Sequence, residues 1–501
     1  MSDQTLAALL RGGPDRAPAL HVPDGLQLDF GGLAGAVGEL AGILRAAGVT
    51  RGDRVVLVVP DGPVLLQTLL AVVTLGAAAA PLNPAYTHDE YVFFMEDLSP
   101  RLALLAPGEA TAARAASSVG VGVGELVVED GRAAGVQIDG RVVRTGQDFE
   151  PAQPDDIALL LHTSGTTSRP KQGPLSHRNL MASARAIAAH YRLGPDDASF
   201  VAMPLFHVHG LVASAFAALI GGGRVIVPPR FSPQRMLDQL EPAGVTWLSA
   251  GPTLHQMVVE RIERAGRTAV GELRFMRSCS SALSPELMAR VEAHFEAPLL
   301  EAYGMTEASH QIASNPLPPP APRAATVGVS AGAEIRIADA AGAELPLGSA
   351  GEVLIRGPGL TTGYLGNPEA NAEAFVEGWF RTGDLGSLDG DGYLQLVGRL
   401  KEMILRGGEN IAPAEVEDAL RAHPAVVDVA CFGLPDAKYG ELVAAAVSLS
   451  GAADEGELAA HCHERLAAFK VPSVIHILDE VPRTATGKLQ RRRIAALFVE
   501  P

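Results

Sequence analysis

The residues best suited to chemistry on a phosphate lie together at Thr163–Lys171, in the sequence TSGTTSRPK. Thr163, Ser164, Thr166 and Thr167 offer hydroxyl donors, Gly165 lets the main chain approach closely, and Arg169 and Lys171 supply positive charge. The apolar run before them, Ile157 to Leu161, reads as the end of a buried strand, so the loop would emerge at a sheet edge. A triphosphate suits such a loop. It is not the Walker A pattern, because Pro170 precedes the lysine and no Gly-Lys-Ser/Thr follows. Taken alone, a polar surface turn accounts for the same composition better.

The elements that must position this loop belong to a large protein. A chain of 501 residues divides into at least two compact domains, and 47% hydrophobic residues are enough for a large core. A net charge of -17 excludes a nucleic-acid binder, which needs a basic face, yet leaves room for a local cationic pocket. Cys279, Cys431 and Cys462 lack metal-ligand spacing and fit a reduced compartment. The N-terminal MSDQTLAALLRGG has no basic segment followed by a long apolar one, and FVEP is not a peroxisomal address. A cytoplasmic protein is expected. The longest apolar stretch, Val64 to Pro81, contains Gln67, Thr68, Thr74 and Gly76 and reads as a buried helix, not a membrane span.

Strand and helix patterns alternate. Residues 33–48 read as a helix closed by Gly48, Arg54–Pro60 as a buried strand, Val64–Leu75 as a helix, and Leu102–Leu105, Val201–Pro204 and Val225–Val227 as strands. The pattern predicts an α/β protein. GVGVG at 120–124 lacks the glycine spacing and the strand–turn–helix frame of a dinucleotide fingerprint. Residues 106–153 read as a variable, partly exposed excursion. NPLPPPAPR at 315–323 reads as a stiff extended connector, and EIRIAD, GEVLIRG and GYLQLVGRLKEMI follow as a β-rich segment. The main boundary is expected at Arg399–Lys401. Beyond it come a helix near Ala414–Ala422, a strand Val427–Phe432, a helix Glu455–Ala468 and a strand Val474–Leu478.

Six stretches then occur in order: TSGTTSRPK at 163–171, PLFHVHG at 204–210, EAYGMTE at 301–307, RTGD at 381–384, GRLKEMILRGGENI at 398–411 and PRTATGKLQ at 482–490. Together, and over almost the whole chain, they resemble the adenylate-forming superfamily of acyl-CoA synthetases, luciferases and nonribosomal adenylation domains. The resemblance implies a large N-terminal domain (1–399) of layered α/β subdomains plus a β-rich subdomain. It also implies a small mobile α/β C-terminal lid (400–501) hinged near Lys401. Two steps follow: a carboxylate and ATP give acyl-AMP and pyrophosphate, and the thiol of coenzyme A then displaces AMP.

The same resemblance distributes roles. Thr163–Lys171 would hold the β- and γ-phosphates, Thr306 would donate to the α-phosphate, and Glu307 would hold Mg²⁺, an ion suited to one or two carboxylates plus phosphates. Ser281, Ala282, Glu301, Ala302 and Tyr303 would line the nucleotide, with Tyr303 stacking on adenine. Asp384 and Arg399 would hold the ribose, and Lys488 would bridge carboxylate and α-phosphate in the adenylation conformation. Gly407 and Gly408, in RGGEN, would let backbone pass along the pantetheine arm, although a structural turn explains that pair equally well.

The acid is set by other residues. PLFHVHG, RSCSSALS (277–284) and EASHQIASNPLP (307–318) bring His207, His209, Ser280, Ser281, His310 and Ser314 to the expected pocket, many polar groups for a fatty-acid tunnel. HTSGTTSRP, PLFHVHGL, RSCSSAL and SNPLP most resemble the oxalate–CoA ligase branch. A small dicarboxylate such as oxalate is therefore expected, with His207, His310 and Ser280 on its distal carboxylate. Alternatives are a medium-chain or aryl acid ligase, an enzyme loading a carrier protein, a luciferase-like oxygenase, or a nucleotide-binding regulator. The expected partners are a small carboxylic acid, ATP and coenzyme A, in a monomer or homodimer. Many relatives carry Gly after the motif lysine; Gln172–Gly173 here is expected to reshape the exit of the phosphate loop.

Overall fold

The structure is a computed structural model; it describes residues 3–163, 170–228, 232–266, 272–319, 322–407, 409–436, 438–483 and 489–498. The chain forms two compact units, Met1–Glu334 with Arg356–Phe375, and Ile335–Ile355 with Val376–Pro501.

The larger unit holds two sheets. In the first, the parallel strands Ala198–Val201, Trp247–Ala250, Phe275–Ser278 and Leu299–Met305 lie side by side, and the antiparallel strand His310–Ser314 follows, with the short strand Val329–Ser330 beyond it at the edge. In the second, the parallel strands Ala78–Pro81, Arg54–Val58 and Leu102–Leu105 are extended by the antiparallel pair Ile157–Thr163 and Lys171–Ser176. Nearly unbroken apolar runs in the parallel strands fit a sheet covered on both faces. Helix Phe30–Ala46 touches strands of both sheets, and helix Pro63–Thr74 is buried along almost its whole length. The apolar stretch Val64 to Pro81 is thus an interior helix only as far as Thr74 and ends in the buried strand Ala78–Pro81, and no helix among the described residues is long and apolar enough to cross a membrane.

The excursion at 106–153 proves more ordered than its sequence suggests. Helix Ala110–Ser118 leads into strands Gly122–Glu129, Arg132–Ile138 and Arg141–Val143, which continue the second sheet as an antiparallel meander. GVGVG is therefore the entry to a strand, not a phosphate turn.

The smaller unit contains the β-rich segment, with strands Glu334–Ala338, Gly351–Arg356, Trp379–Leu388 and Leu394–Arg399. A second sheet there joins Ile404–Arg406, Val426–Asp436, Gly440–Leu449 and Val474–Ile477. Helices Pro413–Arg421 and Glu455–His463 pack on it through Val416, Leu420, Leu458 and Cys462. The second of these helices stops at His463, five residues short of the expected end at Ala468.

Candidate active site

The stretch expected to hold phosphate begins and ends in ordered backbone. Thr163 and Lys171 face each other across the antiparallel pair, while Ser164, Gly165, Thr166, Thr167 and Arg169 lie outside the described residues. Gln172, expected to reshape the loop exit, is tied down on the strand that follows the loop: its Nε2 donates to the main-chain oxygen and to Oδ2 of Asp97, both at 2.7 Å. His162 reaches the same Asp97 Oδ2 from the facing strand at 2.7 Å and lies against Phe94. One carboxylate thus clasps both strands beside the loop.

Glu307 sits behind this hairpin in the short turn Thr306–Ala308, with Thr306 half-buried at its start and Glu307 itself buried. The Tyr364 hydroxyl donates to Glu307 Oε1 at 2.8 Å, and Lys171 Nζ lies 4.8 Å over the Tyr364 ring. Burial, and next the neighbouring Glu307 charge, push the Tyr364 phenol up from its ordinary value, so it stays a donor. Asn371 clamps Tyr364 at both ends of its peptide, accepting from its N–H at 2.6 Å and donating to its oxygen at 2.9 Å. Sequence reading passed over Tyr364; its only mark was an aromatic after the Thr-Thr-Gly of TTGYLGN.

Does this corner fit a divalent cation? Glu307 has one oxygen engaged by Tyr364 and, among the described residues, none hydrogen-bonded to the other, a hard donor of the right kind. Among the described residues no cluster of three or more His, Cys, Asp or Glu could enclose an ion. Glu307 therefore fits Mg²⁺ held chiefly by phosphate oxygens, not an all-protein cage.

The acid side is built from the first sheet. After PLFHVHG, residues His209–Phe216 wind as a π-helix, a rare form that clusters at functional sites. A Cβ at Gly210 would lie 2.2 Å from the Met203 oxygen and 2.4 Å from the Pro204 oxygen, so only glycine allows this turn to close. Asp61 holds the same loop by accepting from Leu205 N–H at 2.7 Å; burial pushes its carboxyl up to about 6.

The π-helix aims His209 into a polar cluster. Its Nδ1 is 2.9 Å from Ser280 Oγ, its Nε2 is 2.7 Å from Ser249 Oγ, and its ring meets that of His310 edge-on at 5.0 Å. Ser280 and His310 both adopt positive φ, 81° and 112°, conformations that side-chain-bearing residues adopt only when their surroundings impose them. Gly304 makes room for the second, since a Cβ there would lie 1.9 Å from the His310 oxygen. His209, Ser280 and His310 thus converge, whereas His207 is half-buried against Phe206. Ser314 is buried deeper, with its hydroxyl 2.6 Å from that of Tyr191.

Around the nucleotide residues, Ser281 and Ala282 are exposed while Ala302 and Tyr303 are buried in their strand. Glu301 Oε1 accepts from Leu283 N–H at 3.1 Å and so shapes the turn carrying Ser281 and Ala282.

In the smaller unit Asp384 and Arg399 are cross-strand partners, with Arg399 Nε 2.8 Å from Asp384 Oδ1. Lys401 occupies the exposed turn Leu400–Glu402. Gly407 takes φ 61° at a tight hairpin turn, while Gly408 and Lys488 lie outside the described residues. Just beyond the latter, Arg491 is anchored by Glu417 at 2.9 Å and Glu402 at 2.6 Å.

The AMP-binding enzyme family matches residues 9–365, and the AMP-binding enzyme C-terminal domain matches 415–488. The chain is 42% identical to an oxalate–CoA ligase of Arabidopsis thaliana, covering 100% of both chains. It is 36% identical to a sulfoacetate–CoA ligase of Cupriavidus necator, over 98% of this chain and 97% of the relative. Its fold superposes on ATP-bound MatB from Rhodopseudomonas palustris with a TM-score of 0.88, at 31% identity and 99% coverage of each chain.

Proposed function

The chain belongs to the family of AMP-binding enzymes and is an acid–CoA ligase, and we propose that its acid is a small dicarboxylate, with oxalate the best candidate. The observation that carries this choice is the converging polar wall of Ser280, His209 and His310, where a fatty-acid site would be apolar. Two relatives named for acids with a second anionic group support it.

In the reaction proposed, a carboxylate oxygen attacks the α-phosphorus of ATP and the bond to pyrophosphate breaks. The thiol of coenzyme A then loses its proton and attacks the acyl carbon, and AMP leaves. Two anions meet in the first step, so the site must place donors and cations where charge gathers. We assign Thr163–Lys171 to the β- and γ-phosphates, Thr306 to the α-phosphate, and Asp384 and Arg399 to the ribose. Bound at Glu307, Mg²⁺ would offset phosphate charge. Lys488 is assigned to the bridging of carboxylate and α-phosphate, on a lid (400–501) that turns at Lys401 and then presents Gly407 and Gly408 to the pantetheine arm. A cytoplasmic location is part of the same reading.

Pyrophosphate release measured over a panel of carboxylates tests the acid. Oxalate is expected to lead; octanoate or a coumarate used ~100-fold better than oxalate or malonate would refute the polar-pocket reading. Addition of coenzyme A should yield the thioester by mass, which separates a free-CoA ligase from one that loads a carrier protein.

A further inference from the structure

Arg277 is fully buried, and among the described residues its side chain meets the tyrosine, serine and glutamine below, the Cys279 side chain and the His209 ring, but no carboxylate. Its Nε donates to the Tyr191 hydroxyl at 2.9 Å, one terminal nitrogen to Ser249 Oγ at 2.9 Å, and the other to Gln311 Oε1 at 3.1 Å. Burial pushes the Tyr191 phenol up from its ordinary value, so that partner stays uncharged. Among the described residues no carboxylate forms an ion pair with Arg277. A buried cation without a carboxylate partner is costly, so its place beside the polar cluster calls for a role.

The protons between Arg277 and the pocket can be assigned in one direction. The guanidinium has only donors, so Ser249 Oγ accepts from it. The single Ser249 hydroxyl proton then has one acceptor, His209 Nε2 at 2.7 Å, and the guanidinium 3.5 Å from that nitrogen favours a lone pair there over a proton. His209 therefore carries its proton on Nδ1 and donates it to Ser280 Oγ at 2.9 Å. The Ser280 hydroxyl proton is left with no acceptor among the described residues, on a half-buried residue held at φ 81°.

We propose that Arg277 is a positioning residue which, through Ser249 and His209, fixes the Ser280 hydroxyl as a donor to the second carboxylate of the acid. The chain ends in a donor and starts in a buried positive charge, so it selects an anion over a neutral group of the same size. This rests on the dicarboxylate reading above.

Oxalate and oxamate differ by one carboxylate against one amide and so isolate the effect. In pyrophosphate release, Ser249→Ala, which breaks the relay and leaves the guanidinium in place, is expected to raise the KM for oxalate ~10-fold or more. The KM for oxamate and for ATP should change little, and Arg277→Lys, which keeps the charge, should retain more oxalate preference than Arg277→Met. Equal losses for both acids in Ser249→Ala overturn the proposal and leave the dicarboxylate reading standing. A wild-type protein that takes oxamate as readily as oxalate overturns both. The relay also has a readout free of substrate: in protein labelled with ¹⁵N-histidine, the signals lost in His209→Gln should report Nδ1–H in the wild type. Finding Nε2–H there overturns the relay whatever the acid.

Discussion

The phosphate side and the acid side of the larger unit solve opposite problems. On the phosphate side, Lys171, Thr306 and Glu307 sit on turns and strand ends, and their fixed partners are few: one tyrosine hydroxyl on Glu307, one aromatic ring under Lys171. On the acid side, Arg277, Ser249, Tyr191 and Gln311 form a closed network inside the sheet. A polyphosphate brings several charges and leaves as pyrophosphate, so its cradle must grip and let go. A small acid offers few atoms to recognise, so its pocket must be rigid and prearranged.

That contrast predicts where each substitution registers. The largest effect belongs to Glu307→Gln, which removes the charge that would hold Mg²⁺ while keeping the bond to Tyr364. A fall of ~10²–10³-fold in the rate of pyrophosphate release is expected, with the KM for the acid nearly unchanged. If the acid KM moves instead and the rate holds, the two sides are not separate in the way described.

The second prediction uses one buried histidine from each side. His255, whose Nε2 is 3.1 Å from the Arg277 oxygen, and His177, whose Nδ1 accepts from Leu6 N–H at 3.1 Å, are both pushed by burial down to about 4. A depressed imidazole stays neutral in the folded protein while the unfolded chain takes up the proton, so stability is intact above pH ~6.5 and falls as the pH drops towards 4. Each histidine can cost up to ~3 kcal/mol across that window. Urea unfolding at pH 7.5, 5.5 and 4.5 should show His255→Gln losing less stability on acidification than the wild type. Parallel curves would show that His255 is not held neutral by its surroundings.

The third concerns the hinge of the acid side. Gly210→Ala forces a methyl against two carbonyl oxygens at 2.2 and 2.4 Å and is expected to cost ~2 kcal/mol of stability. It should also raise the acid KM, because His209 is the neighbouring residue, and should leave ATP binding alone. A variant with unchanged acid KM would detach the π-helix from substrate recognition.

These two sides were not equally legible in the sequence. Helices Phe30–Ala46 and Pro63–Thr74 and strand Leu102–Leu105 follow from apolar periodicity and glycine stops, and the phosphate stretch stands out once it is read with the five motifs that follow it. The acid side hides because its chemistry depends on burial. RSCSSALS is placed at the pocket by its serines alone, yet its arginine lies within a fully buried strand and takes partners from residues 191, 249 and 311. The π-helix is equally silent, since HGLVASAF is an ordinary apolar run until Gly210 is seen against Met203 and Pro204. Gln172 is as silent about its partner: it is held by Asp97, a contact from 75 positions away.

Tyr364 gives the smallest and sharpest test of the contrast, because among the described residues its hydroxyl is the one hydrogen-bond partner of the Glu307 carboxylate. Tyr364→Phe keeps the ring beneath Lys171 and removes only the hydroxyl at 2.8 Å from Glu307 Oε1. Losing one hydrogen bond to a charged group where solvent or an ion can take its place is expected to cost ~1 kcal/mol, about fivefold in the rate of adenylation. The Mg²⁺ concentration giving half-maximal rate should shift by the same factor, since an untethered carboxylate must be ordered again by the ion. The acid KM should not move. A loss of ~100-fold would mean that the phosphate side is as rigidly prearranged as the acid side, and the division between a yielding cradle and a fixed pocket would no longer hold.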